Sequence, residues 1–198
     1  MISTILFDLN DVLVTYHAKD MDRQYLEEFG VDSRTFWQAR KPYMRDYCLG
    51  KIDADQFMLG ILKDLGISPD KLSRAHELHK KGVTLVEGIT KLLGELKGRY
   101  RIVLIAGDGD GSFKFKLDNY GLRKYFDALY CTCYEGFIKS DPRLYEAVLK
   151  KENLRPEECL FIDDRENHTN VALGLGMKAI VFENTEKLRR QLKDMQIL

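Results

Sequence analysis

The chain predicts an α/β fold: a parallel sheet core covered by helices on both faces, with an α-helical cap inserted after the first strand. Three observations carry this reading. Ile5-Leu6-Phe7 is a short apolar run that ends abruptly in Asp8-Leu9-Asn10-Asp11, as a buried strand does when it enters a polar loop. From about residue 19 to residue 79 apolar residues recur at helical spacing with no clear strand. Beyond that block, short apolar runs alternate with amphipathic stretches, the pattern of a parallel sheet with crossover helices. Residues 1–14 and 85–198 are therefore assigned to a core domain and residues 15–84 to the cap.

In order along the cap, Tyr25, Leu26 and Phe29 share one helix face that stops at Gly30. Ser33 is placed to cap a helix bearing Phe36 and Trp37, and Asp53 to cap one bearing Phe57, Ile61 and Leu62. Pro69 opens a helix through Leu72 and Leu78. In the core, Ile89, Leu92, Leu93 and Leu96 mark an amphipathic helix closed by Lys97-Gly98, and Ile102-Val103-Leu104-Ile105 is a buried-strand run. A helix through Phe115 and Leu117 ends at Gly121, the segment from Ala128 to Cys133 is β-like, and Asp141-Pro142 opens a helix over Tyr145, Val148 and Leu149. Leu160-Phe161-Ile162 is a strand closed by Asp163-Asp164; a helix to Gly176 and a last strand, Ala179 to Phe182, follow.

Composition narrows the function. The 198 residues carry 31 basic and 31 acidic side chains, so no surplus of positive charge favours a nucleic-acid or membrane partner. The N-terminus has no basic stretch followed by an apolar core, and no apolar run approaches the ~20 residues of a membrane span, so the cytoplasm is the expected compartment. Cys48, Cys131, Cys133 and Cys159 form no CxxC pair and no zinc-like cluster, and read as reduced thiols, with Cys131 and Cys133 on one strand face.

Ligands of open parallel sheets bind beyond the carboxyl ends of the strands. Two strands end there in acids, Asp8 and Asp163-Asp164. If the strands are neighbours, three carboxylates converge, and such a cluster calls for a cation; hard oxygen ligands suit Mg²⁺. Lys139, after a β-like segment, can bring a positive charge to the same edge.

Those residues carry a family resemblance. Phe-Asp8-Leu-Asn10-Asp11-Val12-Leu13 resembles the first motif of the haloacid dehalogenase-like (HAD) hydrolases, Asp-x-Asp-Gly-Val/Thr-Leu. Gly136 to Tyr145, with Lys139, is similar to the lysine-bearing third motif. Asp163-Asp164-Arg165 and the downstream Gly174-Leu-Gly176 resemble the fourth. The resemblance covers essentially the whole chain and implies a Rossmann-like HAD core with an α-helical cap. It implies further that Asp8 is the nucleophile forming an aspartyl-phosphate, and that Lys139 steadies it and the transferring group. Mg²⁺ would be held by Asp8, the backbone carbonyl of Asn10 and Asp164, with Asp163 close by or acting through water.

The sequence departs from the pattern at three places. Asn10 stands where the family's phosphatases carry the second Asp, which protonates the leaving oxygen and then activates water; losing such a group costs ~10²–10⁴-fold. Ala106-Gly107-Asp108 replaces the Ser or Thr expected after the strand from Ile102; Gly107-Asp108-Gly109-Asp110-Gly111 is permissive enough for a backbone phosphate nest, although its acids oppose phosphate. His168 stands where Asn or Asp is usual. The expected activity is Mg²⁺-dependent hydrolysis of a small phosphorylated metabolite by a monomer or homodimer, with Asp8, Asn10 and Lys139 in catalysis and Ala106, Gly107, Asp108 and Lys139 at the substrate. The alternatives are a catalytically silent HAD-like protein that binds a ligand or partner, and a metal-free hydrolase of the dehalogenase type, against which Asp163-Asp164 argues. Asn10→Asp should speed hydrolysis of poor leaving groups by ~10²-fold if the protein is a slow phosphatase. Elsewhere His17 could line the cap entrance, His76 and His79 read as a solvated helix face, and Trp37, Arg40 and Tyr43 lie on or near a cap helix face.

Overall fold

A computed structural model describes residues 1–16 and 18–198, with the side chains of all but 17–20. Seven strands run β1 Thr4–Phe7, β2 Val14–Tyr16, β3 Val83–Leu85, β4 Arg101–Ala106, β5 Ala128–Cys131, β6 Cys159–Asp163 and β7 Lys178–Val181. The cap helices are α1 Ala18–Phe29, α2 Ser33–Gln38, α3 Lys41–Cys48, α4 Ala54–Asp64 and α5 Leu72–Gly82. The core helices are α6 Ile89–Leu96, α7 Asp110–Asn119, α8 Thr132–Glu135, α9 Pro142–Lys151, α10 Glu166–Gly174 and α11 Thr185–Asp194.

Five strands form one parallel sheet in the order β5-β4-β1-β6-β7. Side chains alternate across it, and the alternation sorts them into two cores. Ile5, Phe7, Ile102, Leu104, Leu160 and Ile162 pack with Leu92, Leu93, Leu117, Leu188 and Leu192 of α6, α7 and α11 on one face. Leu6, Val103, Ile105 and Phe161 pack with Leu144, Tyr145, Val148 and Ala172 of α9 and α10 on the other. The chain winds outward from β1 in both directions, so the switch point falls at the carboxyl end of β1, between β4 and β6.

The cap has its own core, built on Tyr25, Phe29, Phe36, Phe57, Met58, Ile61, Leu62 and Leu78. Asp53 caps α4 in a reciprocal box with Gln56, as its spacing predicts. Three expectations change. Asp32, not Ser33, caps α2 by accepting from the Thr35 N–H; Ser33 is the first helical residue and donates its hydroxyl to Asp22. Leu26 is 52% exposed, because the buried face of α1 falls on Met21, Tyr25 and Phe29. The cap is also not purely helical at its edges: β2 and β3 pair antiparallel, Val14 opposite Leu85 and Tyr16 opposite Val83, and tie the two linkers together. Three-residue strands are too short to show an alternating pattern. The helix α11 has no counterpart in the sequence reading; Asn184 caps it and Leu188 and Leu192 hold it to the sheet. No described helix is long and apolar enough to cross a membrane.

Candidate active site

Asp8 is the first residue after β1; its N–H donates to the Ile162 carbonyl, which fixes it beside the end of β6. The next residues turn sharply. Asp11 takes a left-handed backbone (φ 58°), a conformation that Asp tolerates better than most non-glycine residues, and its N–H donates to Val14. That turn brings Asn10 over the β4 loop, where its amide donates to the Gly107 carbonyl at 3.2 Å.

Lys139 reaches the same point from the loop after α8. Its Nζ lies 2.6 Å from Asp8 Oδ1 and also pairs with Asp163 Oδ2, with all three side chains buried. Asp163 is fully engaged: Oδ1 accepts from the Arg165 N–H at 2.9 Å and from His168 Nδ1 at 3.1 Å. Asp164 has only the distant Arg165 guanidinium at 3.9 Å among the described residues. Oxygens of Asp8, Asp163 and Asp164 lie within 4.8 Å of one another.

Three carboxylates facing one lysine leave the cluster short of positive charge, and the acids respond. Burial pushes Asp8 up to about 7; Lys139 opposes the shift and the Asp163 charge adds to it. Asp164 is raised by burial and by the charges of Asp163 and Asp11. Burial also opposes the charge of Asp163, yet His168 and Lys139 outweigh it and hold that acid below the ordinary range. The donor set therefore fits a divalent cation: hard oxygens, partly exposed at Asp164, with uncompensated negative charge.

A cavity of about 790 Å³ opens over this cluster. Asp8, Asn10, Gly107, Asp108, Lys139 and Asp164 form its floor. Trp37, Arg40, Met44, Tyr47, Phe57 and His79 of the cap form its roof. The cap sits tightly on the loop after β4. A Cβ on Gly109 would overlap the Tyr47 ring, and one on Gly107 would come within 3.2 Å of Lys139. Neither glycine, nor Gly111, has positive φ, so the stretch is glycine-rich for close approach and not for a nest of left-handed turns.

The structure brings Asp8, Asn10, Gly107, Asp108, Lys139, Asp163 and Asp164 together. Ala106 stays apart: its methyl group is buried in the sheet core and it does not line the cavity. The Asp108 carboxylate faces protein donors, accepting from the Gly109 N–H at 2.9 Å, Ser112 Oγ at 3.2 Å and Lys116 Nζ at 2.7 Å. Lys116, absent from the sequence reading, is 3% exposed and also donates to Asn10 Oδ1 at 2.7 Å. Nothing local marks it, because it shares α7 with the exposed Lys114. His168, read only as a departure, holds Asp163. His79 is not on a solvated face. It shares a hydrogen bond with the Tyr16 hydroxyl, and burial, then Lys116 and Lys80, pull its imidazole down to about 3. His76 pairs separately with Asp55. Cys131 ends β5 and Cys133 lies in α8, with their sulfurs 3.0 Å apart, so a helical turn and not a shared strand face makes them neighbours. His17 lies outside the described residues.

A parallel sheet with a buried aspartate at its switch point, a lysine-held acid pair beside it and a helical cap above defines a capped α/β hydrolase. The chain belongs to the haloacid dehalogenase-like hydrolases, whose family profile matches residues 2–175. It is 26% identical to flavin mononucleotide hydrolase 1 of Arabidopsis thaliana over 98% of this chain and 77% of that protein. It is 24% identical to the D-ribitol-5-phosphate phosphatase of Bacteroides thetaiotaomicron over 97% of each chain. Among solved structures, a HAD family enzyme of Bacteroides thetaiotaomicron superposes with a TM-score of 0.80 at 21% identity, covering 96% of this chain and 98% of that one. A structure of that enzyme with magnesium and inorganic phosphate superposes with a TM-score of 0.74 at 22% identity, over 93% and 96% of the two chains.

Proposed function

We propose that the protein is a Mg²⁺-dependent phosphatase of small phosphorylated metabolites, acting through an aspartyl-phosphate on Asp8. One observation carries the reading: the buried Asp8 carboxylate, gripped by Lys139, faces a cavity from within a cluster of three acids. The names of the two relatives, a flavin mononucleotide hydrolase and a D-ribitol-5-phosphate phosphatase, support it. Asp8, Asp164 and the backbone carbonyl of Asn10 would hold the ion, with Asp163 behind them steering Lys139. Bound there, Mg²⁺ supplies charge for the phosphoryl oxygens.

The chain's own residues do the rest. Lys139 hydrogen-bonds one Asp8 oxygen, which leaves the other to attack phosphorus and fixes its direction. Closure of Tyr47 over Gly109 and of the aromatic roof limits water around the ester. The cavity is far larger than inorganic phosphate requires, so the organic part of the ester has room beneath the cap. The Asn10 amide N–H is too weak an acid to protonate a leaving group.

A panel of phosphorylated metabolites, assayed with and without Mg²⁺ against an Asp8→Asn blank, tests the reading. Turnover that needs both Asp8 and Mg²⁺ is expected. No Asp8-dependent turnover on any ester would return the protein to the silent binding class.

A further inference from the structure

We propose that Arg40 is a specificity-determining residue of the cap, and that it holds a second anionic group, a carboxylate or a further phosphate, at the far end of the phosphate ester; the inference rests on the phosphatase reading above. The cations that line the cavity differ in how they are matched. On the floor, Lys139 pairs with Asp8 and Asp163, and Lys116 pairs with Asp108. In the roof, the Arg40 side chain is partly buried and has no acid at ion-pair distance among the described residues. What it meets is an aromatic ring: Cζ lies 5.7 Å from the Trp37 centroid. A guanidinium against a ring keeps its N–H edges available for in-plane hydrogen bonds, the arrangement that receives a carboxylate or phosphate through two parallel bonds. The backbone holds the residue in place, since the Arg40 carbonyl accepts from the N–H groups of Tyr43 and Met44 in the first turn of α3. Arg45 also lines the cavity, but it is exposed, and water meets its charge.

A charge withdrawn from water and left unmatched costs free energy, which an anionic ligand would recover. A second arginine raises that cost. Arg165 lines the same cavity from the core side, 60% exposed, with Asp164 near it at 3.9 Å. Burial disfavours the Arg40 charge, and the charge of Arg165 disfavours it further. Two arginines, one from each domain, thus bring like charges to one cavity, and an anion there relieves both. That anion is not the transferring phosphoryl group. The phosphoryl group belongs at the floor, on Asp8, beside Lys139. The charges that act most on Arg40 are those of Arg165, Asp11, Cys48 and Asp108, not that of Asp8. Floor and roof therefore offer separate anion sites, with the organic part of the ester between them.

The test is equilibrium binding, read by calorimetry with free Mg²⁺ in excess, of phosphonates that cannot be hydrolysed. Three series of graded chain length are compared: n-alkylphosphonates, ω-carboxyalkylphosphonates and α,ω-alkylene bisphosphonates. At the length that spans the cavity, a terminal anion should improve wild-type affinity about tenfold or more over the plain alkyl chain, the scale of a charged hydrogen bond. The terminal group that gains more identifies the anion. Arg40→Gln should erase the gain while leaving affinity for the plain alkylphosphonates, which reports an intact site, within about threefold of wild type. Arg40→Lys keeps the charge without the planar fork and should retain part of the gain. Arg165→Gln should lower it without erasing it. No gain at any length, or a gain that survives Arg40→Gln, would overturn the proposal. So would an equal loss on all three series in both Arg40 variants, which would put Arg40 at the phosphoryl group. Failure of the phosphatase reading shows separately, as no Asp8-dependent turnover on the metabolite panel.

Discussion

Lys116 Nζ lies 2.7 Å from Asn10 Oδ1, so the side chain that departs from the family pattern is held by a cation from the helix after β4. This contact changes what Asn10→Asp should do. A carboxylate at that point would meet an ammonium at hydrogen-bond distance, which favours its ionised form, and an ionised carboxylate has no proton to donate. The gain of ~10²-fold expected from sequence assumes an unpaired acid. Asn10→Asp should instead leave kcat on p-methoxyphenyl phosphate within about tenfold of wild type, and raise the melting temperature through the new ion pair. A hundredfold gain would show that the carboxyl escapes Lys116.

Lys139 is the sole described cation within reach of both Asp8 and Asp163. Lys139→Met would leave two buried carboxylates facing each other. Breaking a buried pair in this way costs about 3–5 kcal/mol. Urea unfolding of the metal-free protein should show a loss on that scale, and added Mg²⁺ should recover part of it by offsetting the Asp8 charge. A loss under about 1 kcal/mol would mean that water reaches the cluster freely.

The parts of this site that could be read in the sequence are those that sit on strand ends. Ile5-Leu6-Phe7-Asp8 and Leu160-Phe161-Ile162-Asp163 are apolar runs stopped by acids, and neighbouring parallel strands leave the stops side by side. The cap helices showed through their spacing and through Asp53. Lys116 could not be seen, because its role depends on a contact across 106 residues, and an isolated lysine on a helix looks solvated. The Gly107–Gly111 stretch was legible as special but not as to why. Glycines selected for close approach and glycines selected for positive φ look alike until the neighbour, here Tyr47, is placed. The strand end alone does not separate Asp163 from Asp164, since adjacent residues there differ only in which way they face; it is the family resemblance that makes Asp164 the ligand and puts Asp163 close by.

Proton release should accompany Mg²⁺ binding. Burial raises Asp8 to about 7, so below that pH the metal-free site holds a proton there that a cation must displace. The sign follows: a raised acid is protonated below its shifted pKa, so Mg²⁺ affinity should climb as pH rises through 7 and level off above it. Titration calorimetry at pH 6 in buffers of different ionisation enthalpy should show protons taken up by the buffer, and the same titration at pH 8.5 should show almost none. Identical apparent enthalpies across buffers at pH 6 would place the ion away from Asp8.

The two adjacent acids separate most sharply by substitution. Asp163 spends its carboxylate within the protein, on Lys139, His168 and the Arg165 N–H. Asp164 has a single charged contact, at 3.9 Å, among the described residues and is raised by burial and then by its acidic neighbours, so its charge is a liability while no cation is bound. Asp164→Asn should therefore stabilise the metal-free protein, because it removes repulsion without breaking a hydrogen bond. It should also remove the thermal shift that Mg²⁺ gives wild type, because a hard anionic ligand is lost from the ion itself. Asp163→Asn should do the reverse. It weakens the hold on Lys139 and His168 and lowers the melting temperature, while Mg²⁺ still stabilises what remains, with affinity reduced about 10–100-fold as for a group that only orients the ligands. Thermal melts of both variants over a Mg²⁺ titration read all four outcomes. If Asp163→Asn abolishes the Mg²⁺ shift while Asp164→Asn keeps it, the ion is held by Asp163, and Lys139 must leave that carboxylate when it binds.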